Sequence, residues 1–263
     1  MANHSPRSVV VTGASGGLGA ALAYAYAAPG VVLGLTGRDA GRLEQCARQC
    51  RDAGATVFTE ALDLRDGDAV AQWLCRFDDA HPIDLAIANA GVASTLSSVD
   101  DWEDIRRTTA VFDTNFFGAL HTVLPIIERM RHRKRGQIAM VSSLAAIRGM
   151  AISPAYCASK SALRAYGESV RPLLARDSVF LSIVLPGFVK TAMSDVFPGG
   201  KPFMLTPAKA AWVIQRGLAT RRKVIAFPGL LSIGMGLLRA LPAWLGDVIL
   251  NVTYPLREER SKR

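Results

Sequence analysis

Tyr156 and Lys160 are placed to perform proton transfer together. They are four residues apart, so on a helix their side chains share one face. A phenol normally titrates at about 10, which is too high for efficient proton exchange at neutral pH. A nearby ammonium group favours the phenolate and lowers that pKa. Ser143 stands 13 residues before Tyr156, at the end of an apolar run that predicts a strand.

A glycine-rich loop lies between the first predicted strand and the first predicted helix. Glycine allows a tight turn and lets a pyrophosphate approach the backbone, while the helix N-terminus offers N–H groups and partial positive charge. This position at the first strand of a β-α-β chain predicts a dinucleotide site. The candidate contacts are Gly13, Ser15, Gly16, Gly17, Leu18 and Gly19.

The end of the second strand bears on which dinucleotide binds. A carboxylate there would hydrogen-bond the adenosine ribose 2′-hydroxyl and repel a 2′-phosphate. Gly37 stands where that acid is expected, and Arg38 follows it. Arginine suits a phosphate by charge and by its donor geometry, so the pattern favours NADP(H) over NAD(H). A one-residue shift in register would instead make Asp39 the ribose acid; otherwise Asp39 is a helix N-cap.

Strands and helices are predicted to alternate along the whole chain. This order predicts an α/β, doubly wound Rossmann-type fold in one domain (residues 1–263), with a seven-stranded, mostly parallel sheet flanked by helices on both faces. The predicted strands are Ser8–Thr12, Val31–Thr36, Thr56–Leu62, Ile83–Ala88, Gln137–Ser142, Val179–Leu185 and Val224–Phe227. The predicted helices include Asp39–Ala53, Asp66–Asp79, Asp101–His132, Pro154–Arg176 and one from Thr206 to about Thr220.

Two segments depart from this alternation. Thr191–Leu205 follows the sixth strand and is long for a loop, which makes it a candidate substrate lid. Gly229–Thr253 is strongly apolar, but Arg239, Pro242 and Asp247 interrupt it, so it is a poor membrane span. We expect a helical segment there that packs on the core or on a second subunit, with peripheral contact to a membrane surface as the alternative.

Composition and charge narrow the functional class. The chain has 263 residues and a net charge of +9, part of it in Arg129–Arg135 and Arg257–Arg263. These clusters are typical of a solvated helix end and a frayed tail, or they attract an anionic partner; without interleaved aromatics they do not indicate nucleic-acid binding.

Four cysteines without a second ligand pair predict free thiols and no metal site. The N-terminus lacks an apolar signal core, which predicts a cytoplasmic protein.

Six motifs in order resemble the compact single-domain branch of the short-chain dehydrogenase/reductase superfamily, over roughly residues 7–190. They are Thr12-Gly13-x-x-x-Gly17-x-Gly19, Asn89-Ala90-Gly91, Asn115, Ser143, Tyr156-x-x-x-Lys160 and Pro186-Gly187. Because Gly16 is present, the loop also fits the spacing of the extended branch, which includes epimerases and dehydratases. The Asn-Ala-Gly motif, the Ser–Tyr spacing and the short C-terminal part favour the compact branch.

The resemblance implies roles for individual residues. Tyr156 would donate a proton to a carbonyl oxygen that Ser143 holds, and Lys160 would bind the nicotinamide ribose and depress the pKa of Tyr156. Asn115 would hold a water that links Lys160 to solvent. The remaining implied cofactor contacts are Asp63, Leu64, Asn89, Ala90, Gly91, Pro186, Gly187, Val189 and Thr191.

The sequence thus predicts an enzyme that interconverts a carbonyl and a secondary alcohol by hydride transfer with NADP(H). A dinucleotide-sensing binding protein and a nucleotide-sugar epimerase or dehydratase are the alternatives. We expect a homodimer or homotetramer, as in many members of the family. A bulky or apolar substrate is expected because apolar side chains crowd the predicted pocket: Met150, Ile152, Met193, Val196, Phe197, Phe203 and Met204.

Overall fold

Seven parallel strands form the central sheet, because apolar β-branched runs can be buried on both faces only in such a sheet. The computed structural model describes residues 6–254 and residue 256. The strand order is β3-β2-β1-β4-β5-β6-β7, and every neighbouring pair is parallel. The strands are β1 (Ser8–Thr12), β2 (Val32–Gly37), β3 (Thr56–Ala61), β4 (Leu85–Ala88), β5 (Gly136–Val141), β6 (Val179–Pro186) and β7 (Val224–Phe227). The predicted Rossmann-type fold class is confirmed.

Helices cover both faces of the sheet. On one face α1 (Gly17–Tyr26), α2 (Ala40–Asp52) and α8 (Pro207–Ala219) pack on the strands. On the other face lie α3 (Gly67–Ala80), α5 (Gly118–His132) and α6 (Pro154–Ala175). The remaining helices are α4 (Ile105–Phe112), the short α7 (Ala192–Asp195), α9 (Gly229–Ala240) and α10 (Ala243–Thr253). Each face encloses its own apolar core, and the crevice opens where the winding reverses, between β1 and β4.

Three predicted elements differ from the structure. The helix predicted over Asp101–His132 begins at Ile105, because the Asp104 side chain caps it by accepting the Arg107 N–H at 2.7 Å. The apolar segment Gly229–Thr253 is two helices, since Pro242 supplies no N–H and ends the helical pattern before it. The lid loop contains α7, and the other predicted bounds are displaced by one or two residues.

The arginines of the basic cluster Arg129–Arg135 form ion pairs with acidic side chains. Asp78, which is only 4% exposed, accepts hydrogen bonds from Arg129 Nε at 2.7 Å and Arg133 Nη1 at 2.8 Å. It also accepts the backbone N–H of Ile83 at 2.7 Å. The cluster therefore ties α5 to the loop between α3 and β4, as a structural feature. The second predicted cluster, Arg257–Arg263, lies outside the described residues.

Replacing Asp78 with asparagine is expected to destabilise the protein by about 2 kcal/mol, since two partly buried guanidinium groups lose their counter-charge. Burial acts to raise the pKa of Asp78, but hydrogen bonds from Arg133, the Ile83 N–H and Arg129 outweigh burial and lower it. The stabilisation is therefore present above the unfolded-state pKa of about 4 and is lost as pH falls through the lower folded value. Denaturant unfolding at several pH values measures both effects.

Asp79→Asn is the matched control for that experiment. Asp79 also contacts Arg129, but its side chain is 68% exposed. An exposed ion pair contributes little, so we expect a loss below about 1 kcal/mol. Equal losses in the two variants would contradict the structural role given to Asp78.

Among the described helices, the continuous stretch Ile105–His132 is the one that is long and apolar enough to cross a membrane by length and composition. Val123, Ile126 and Met130 on this stretch are fully buried against the sheet. One face of this stretch therefore packs on the sheet, as in a helix of a globular domain that meets the same criteria of length and composition.

Candidate active site

The glycine loop and Asn89 face each other across the crevice at the carboxyl ends of β1 and β4. Asn89 Nδ2 donates to the carbonyl oxygen of Thr12 at 3.0 Å, which ties the two strand ends together. A Cβ at residue 19 would overlap the carbonyl oxygen of Gly13, so only glycine lets α1 approach this closely. The N-terminus of α1 consequently borders the crevice, where its N–H groups suit a pyrophosphate.

One cleft of about 430 Å³ runs across these strand ends. Of the predicted site residues, only Asn115 does not line it. The predicted residues that the cleft brings together are Gly13, Ser15, Gly16, Gly17, Leu18, Gly19, Arg38, Asp63, Leu64, Asn89, Ala90, Gly91, Ser143, Tyr156, Lys160, Pro186, Gly187, Val189 and Thr191. The cleft thus joins the predicted dinucleotide site to the predicted proton-transfer group.

The corner at the end of β2 has a distinct composition. A Cβ at Gly37 would lie 2.8 Å from Ser15 Oγ, so no larger side chain fits there without moving the glycine loop. The Asp39 carboxylate accepts the Arg42 N–H at 2.9 Å and Arg42 Nε at 2.7 Å, and it caps α2. Arg38 and Arg42 line the cleft. The structure therefore gives Asp39 the helix-cap role and leaves arginines at this corner.

Tyr156, Ser143 and Lys160 meet at the opposite end of the cleft. Tyr156 is the third residue of α6, and Ser143 is the second residue after β5, at the N-cap of a single 3-10 turn. Lys160 is buried, and its Nζ donates to the Val141 carbonyl oxygen at 3.0 Å. The Nζ lies 6.0 Å from the centre of the Tyr156 ring. A carbonyl oxygen between Ser143 and Tyr156 would have two hydroxyl donors.

The pKa values in this group follow from burial. Burial raises the pKa of Tyr156 to about 12, while a side-chain hydrogen bond with Ser143 acts in the opposite direction. Burial also lowers the pKa of Lys160 to about 8. The family resemblance implies a depressed pKa for Tyr156, but in the protein alone desolvation dominates and the phenol keeps its proton. Tyr156 is therefore protonated at neutral pH in this state.

Asn115 lies one layer behind the cleft, in a π-helical turn (Asp113–Phe117) between α4 and α5. It is fully buried; its Nδ2 donates to the Val92 carbonyl oxygen and to Ser159 Oγ, both at 3.0 Å. Its Oδ1 accepts the Val92 N–H at 2.7 Å. The side chain thus ties the loop segment that follows β4 to α6. A Cβ on Gly91 would lie 3.0 Å from Asn115 Oδ1 and 3.2 Å from Lys160 Nζ, so glycine at this position lets both side chains approach the main chain closely.

The predicted adenine and nicotinamide borders also lie at strand ends. Asp63 follows β3, and Arg65 Nε donates to its carboxylate at 2.9 Å, which helps to hold its pKa below the usual value. Thr191 caps α7 by accepting the Ser194 N–H, and the Ser194 hydroxyl donates to the Thr191 carbonyl oxygen at 2.8 Å. This reciprocal cap fixes the start of the lid beside the cleft.

The substrate end of the cleft is apolar and aromatic. The Phe197 ring stands edge-on to Tyr156, with 5.6 Å between ring centres, and Phe188 packs against Phe197. Of the seven apolar residues predicted to line this end, Met150, Met193 and Phe197 do so. Ile152 is buried behind the wall, while Val196, Phe203 and Met204 are exposed on the lid and do not line the cleft.

Sequence reasoning missed three wall residues that come from the C-terminal helices. Leu231 and Met235 on α9 and Tyr254 after α10 line the cleft. The four-residue spacing of Leu231 and Met235 signals one helix face, but the sequence does not show which surface that face covers. Missed residues elsewhere in the lining include Thr36, Arg42, Leu62, Thr114 and Val141.

Glu103 supports the start of α6 from a separate loop. Its Oε2 accepts the backbone N–H of Ala155 at 2.6 Å, while the Ser153 N-cap side chain makes no capping hydrogen bond. A carboxylate at a helix N-terminus satisfies a free N–H and interacts favourably with the helix dipole. Glu103 therefore acts as a positioning residue for Tyr156, one residue beyond the capped N–H.

Replacing Glu103 with alanine is expected to cost about 1–2 kcal/mol of stability and to lower kcat, because Tyr156 loses its fixed position. Glu103→Gln keeps an acceptor for the Ala155 N–H and should recover most of the stability. Thermal unfolding and steady-state kinetics measure these changes. Glu168→Ala is the control, since Glu168 forms an i,i+4 pair with Arg164 on the same helix, and we expect an effect below about 0.5 kcal/mol.

Comparison with known proteins agrees with this arrangement. The family described as short chain dehydrogenase matches residues 7–198. An uncharacterized oxidoreductase of Myxococcus xanthus is 35% identical over 94% of this chain and 97% of its own length. The bovine retinol dehydrogenase 8 is 33% identical over 77% of this chain and 68% of its length.

Further relatives and solved structures extend the comparison. An 11-beta-hydroxysteroid dehydrogenase 1A of Arabidopsis thaliana is 37% identical over 71% of this chain, but the match spans only about half (53%) of that protein. A short chain dehydrogenase/reductase of Burkholderia phymatum, solved in complex with NAD, superposes with a TM-score of 0.82 at 23% identity, covering 91% of this chain and 95% of the other. A metagenomic short-chain oxidoreductase, solved in complex with NADP, is 30% identical with a TM-score of 0.69, over 82% and 92% of the two chains.

No group of three or more histidine, cysteine, aspartate or glutamate side chains in the described part of the chain is arranged to hold a metal ion. Beside the Tyr156 hydroxyl, the cleft offers the Ser143 hydroxyl and the Lys160 ammonium for chemistry. Together with the family match and the relatives, they identify the chain as a member of the short-chain dehydrogenase/reductase superfamily and an oxidoreductase that acts on CH–OH or C=O groups with a nicotinamide dinucleotide.

Proposed function

We propose that the protein is an NADP(H)-preferring reductase of bulky, apolar carbonyl compounds, with Tyr156 as the general acid. The convergence of Tyr156, Ser143 and Lys160 in the cleft that also contains the glycine loop carries this proposal. Hydride transfer at the nicotinamide ring is the chemistry that the dinucleotide supplies when bound. The protein residues position the two reactants and move the proton.

Each member of the group has a separate task in the proposed reaction. Ser143 donates a hydrogen bond to the substrate oxygen and orients it toward Tyr156. Tyr156 gives its proton to that oxygen as negative charge develops there. Lys160 binds the nicotinamide ribose and favours the phenolate that is left behind. Asn115 holds the segment after β4 against α6 through its hydrogen bonds to Val92 and Ser159, and it approaches the main chain at Gly91 from the same side as Lys160.

The corner at the end of β2 supports the preference for NADP(H). Ser15 occupies the space that a side chain at position 37 would need, so the usual ribose acid is sterically excluded. The Asp39 carboxylate is engaged by Arg42 and caps α2. Arg38 is exposed at the edge of the cleft, where its guanidinium is available to a 2′-phosphate.

The lining of the cleft supports an apolar substrate. Phe197, Phe188 and Tyr254 form a chain of ring contacts beside Tyr156, and α9 adds Leu231 and Met235. Such a wall gains binding energy from apolar surface and provides few partners for hydroxyl groups of a sugar. The relatives named for retinol and for 11-beta-hydroxysteroids point in the same direction.

A panel of carbonyl compounds with NADPH tests the proposed reaction. The panel contains alkyl aryl ketones, decalones, long-chain aldehydes and small hydroxyketones, and oxidation of NADPH is followed spectrophotometrically. We expect kcat/KM to be highest for the bulky apolar ketones. Turnover confined to small polar hydroxyketones would overturn the substrate class, and binding of dinucleotide without any turnover would favour a sensing protein.

The pH dependence follows from the pKa values of the protein alone. With a pKa of about 12 for Tyr156 and about 8 for Lys160, both groups are mostly protonated below about pH 7. We expect kcat for reduction to stay level from about pH 6 to about pH 7 and to fall through about pH 8 as Lys160 loses its charge. Alcohol oxidation needs the phenolate, so its kcat should rise with pH. Rate profiles in both directions measure this, and a reduction rate that rises with pH would contradict the assignment.

We also propose that the protein forms a homodimer or homotetramer through the surface of the long helices. Three large apolar residues are exposed there: Phe117 just before α5, Leu124 on α5 and Leu173 on α6. Sedimentation velocity measures the assembly.

The epimerase or dehydratase alternative is disfavoured because the C-terminal part of residues 6–254 contains no second substrate domain. It contributes only α9 and Tyr254 to the wall of the cleft.

A further inference from the structure

The C-terminal hairpin, formed by α9 and α10, has a helix, α9, that is apolar on both its inner and its outer face. The inner face of α9 lines the active-site cleft through Leu231 and Met235. Its outer face carries Leu230, Ile233 and Leu237, which are 66%, 63% and 65% exposed. A helix of this kind normally turns polar side chains outward. The outer face of α9 is apolar instead, directly behind a wall of the substrate cleft.

The outer face of α10 has the same character. Trp244, Val248 and Val252 follow one another at four-residue spacing and are 68%, 55% and 77% exposed. On the inner side of the hairpin, Leu250 is buried, and Gly246 lies close to the main chain of Leu238 on α9. The two neighbouring helices therefore expose six large apolar side chains, more than scattered surface residues account for.

Charge is concentrated at the turn that joins the two helices. Between positions 229 and 253 only Arg239 and Asp247 are charged. The Arg148 guanidinium contacts the Asp247 carboxylate and so neutralises the one acid of the hairpin. Arg239, Arg148 and Arg164 line a second cleft of about 380 Å³, which also contains Glu168, and this is the basic cleft. The exposed Leu241 and Trp244 stand in the same turn region.

We propose that the C-terminal hairpin docks on an anionic lipid bilayer, with Leu241 and Trp244 entering the interface and the basic cleft facing the lipid phosphates. Apolar side chains with a tryptophan and flanking arginines are the combination that an anionic membrane interface accepts. A second copy of the chain is a poorer occupant of this surface, because it would bring its own basic cleft, with the same three arginines, against this one.

This arrangement gives the hairpin a role in the supply of substrate, an extension that depends on the proposed function. The outer face of α9 would contact the acyl chains while its inner face contacts the substrate. An apolar carbonyl compound dissolved in the bilayer would then reach the cleft without crossing bulk water. Docking itself does not depend on catalysis, so the two claims can fail separately.

Vesicle co-sedimentation of the full chain tests docking directly. One set of vesicles is phosphatidylcholine alone, and the other is phosphatidylcholine mixed with phosphatidylglycerol. We expect binding to the mixed vesicles that weakens with added salt, and much weaker binding to the neutral ones. The double variant Leu237→Ser with Trp244→Ser should lower the partition coefficient by about tenfold or more.

Two controls separate this surface from general stickiness. Trp102→Ser removes a tryptophan that is 83% exposed outside the hairpin, and we expect unchanged vesicle binding. Arg239→Gln should weaken binding to the mixed vesicles and leave the neutral ones unaffected. NADPH titration of every variant shows that the fold is intact.

Three outcomes would overturn the proposal. The first is no binding of the wild-type protein to either vesicle, and the second is equal binding by the double variant and Trp102→Ser. The third is a dimer that the double variant dissociates, without vesicle binding, which would make the hairpin an interface between copies of the chain. A protein that docks but reduces no carbonyl would retain this proposal and lose the proposed function.

Discussion

Replacing Tyr156 with phenylalanine should lower kcat for carbonyl reduction by about 10³-fold while NADPH binding changes by less than about twofold. The substitution removes the hydroxyl that protonates the substrate oxygen and keeps the ring. That ring packs edge-on against Phe197, so the shape of the cleft is preserved. Steady-state kinetics with the best ketone of the panel and a fluorescence titration with NADPH measure the two quantities.

Tyr166→Phe is the matched control for this experiment. Tyr166 lies on the same helix, ten residues further on, and its ring packs against Phe116 with 6.2 Å between ring centres. We expect kcat within about twofold of the wild-type value, since no reacting group is removed. A Tyr156→Phe enzyme that retains most of its kcat would show that another group, or water, delivers the proton.

Replacing Arg38 with glutamate should weaken NADPH binding by about 100-fold and bring the two dinucleotides to similar affinities. The change removes a charge-assisted hydrogen bond of about 1.5–3 kcal/mol and places a carboxylate beside the 2′-phosphate. The same carboxylate could accept a hydrogen bond from the ribose of NADH, so NADH affinity should hold or improve. Paired fluorescence titrations with NADPH and NADH give both dissociation constants.

Arg48→Glu controls for the change in overall charge. Arg48 is on α2, where its side chain is 75% exposed and pairs with Glu44, and it does not line the cleft. We expect its two dissociation constants to remain near the wild-type values. If Arg38→Glu leaves NADPH affinity unchanged, or if the wild-type protein prefers NADH, the assignment of the 2′-phosphate to this corner is wrong.

The sequence predicted those parts of the protein that depend on neighbours close along the chain. Apolar runs predict the buried strands and capping aspartates predict the helix starts, because both depend on residues close along the chain. The alternation of these elements then indicates a doubly wound fold. The glycine loop and the Tyr156–Lys160 spacing are local as well. The bounds of these elements consequently agree with the structure to within one or two residues, apart from the helix that starts at Ile105.

Features that depend on distant contacts were not predictable. The lack of space for a side chain at Gly37 comes from Ser15, which is 22 positions earlier in the sequence. The capping of Ala155 by Glu103 joins residues 52 positions apart. The π-helical turn at Asn115 leaves no signature in hydrophobic periodicity, since its apolar neighbours continue the helical pattern.

The pKa of Tyr156 illustrates how tertiary structure can oppose a local argument. The i,i+4 lysine predicts a depressed pKa for the phenol. Burial of both side chains instead raises the pKa of Tyr156 and lowers that of Lys160. The desolvation comes from the aromatic wall and from α6 packing on the sheet, neither of which the spacing of two residues contains.

Transfer of a deuterium label tests the central claim, hydride transfer to a carbonyl carbon, most directly. The enzyme is supplied with NADPH deuterated at nicotinamide C4, in separate experiments for each of the two faces of the ring, and with a bulky ketone from the panel. We expect one of the two labels to appear on the carbinol carbon of the alcohol, and we expect the Tyr156→Phe enzyme to form this product far more slowly. An alcohol that carries no label from either cofactor would contradict hydride transfer and the function built on it.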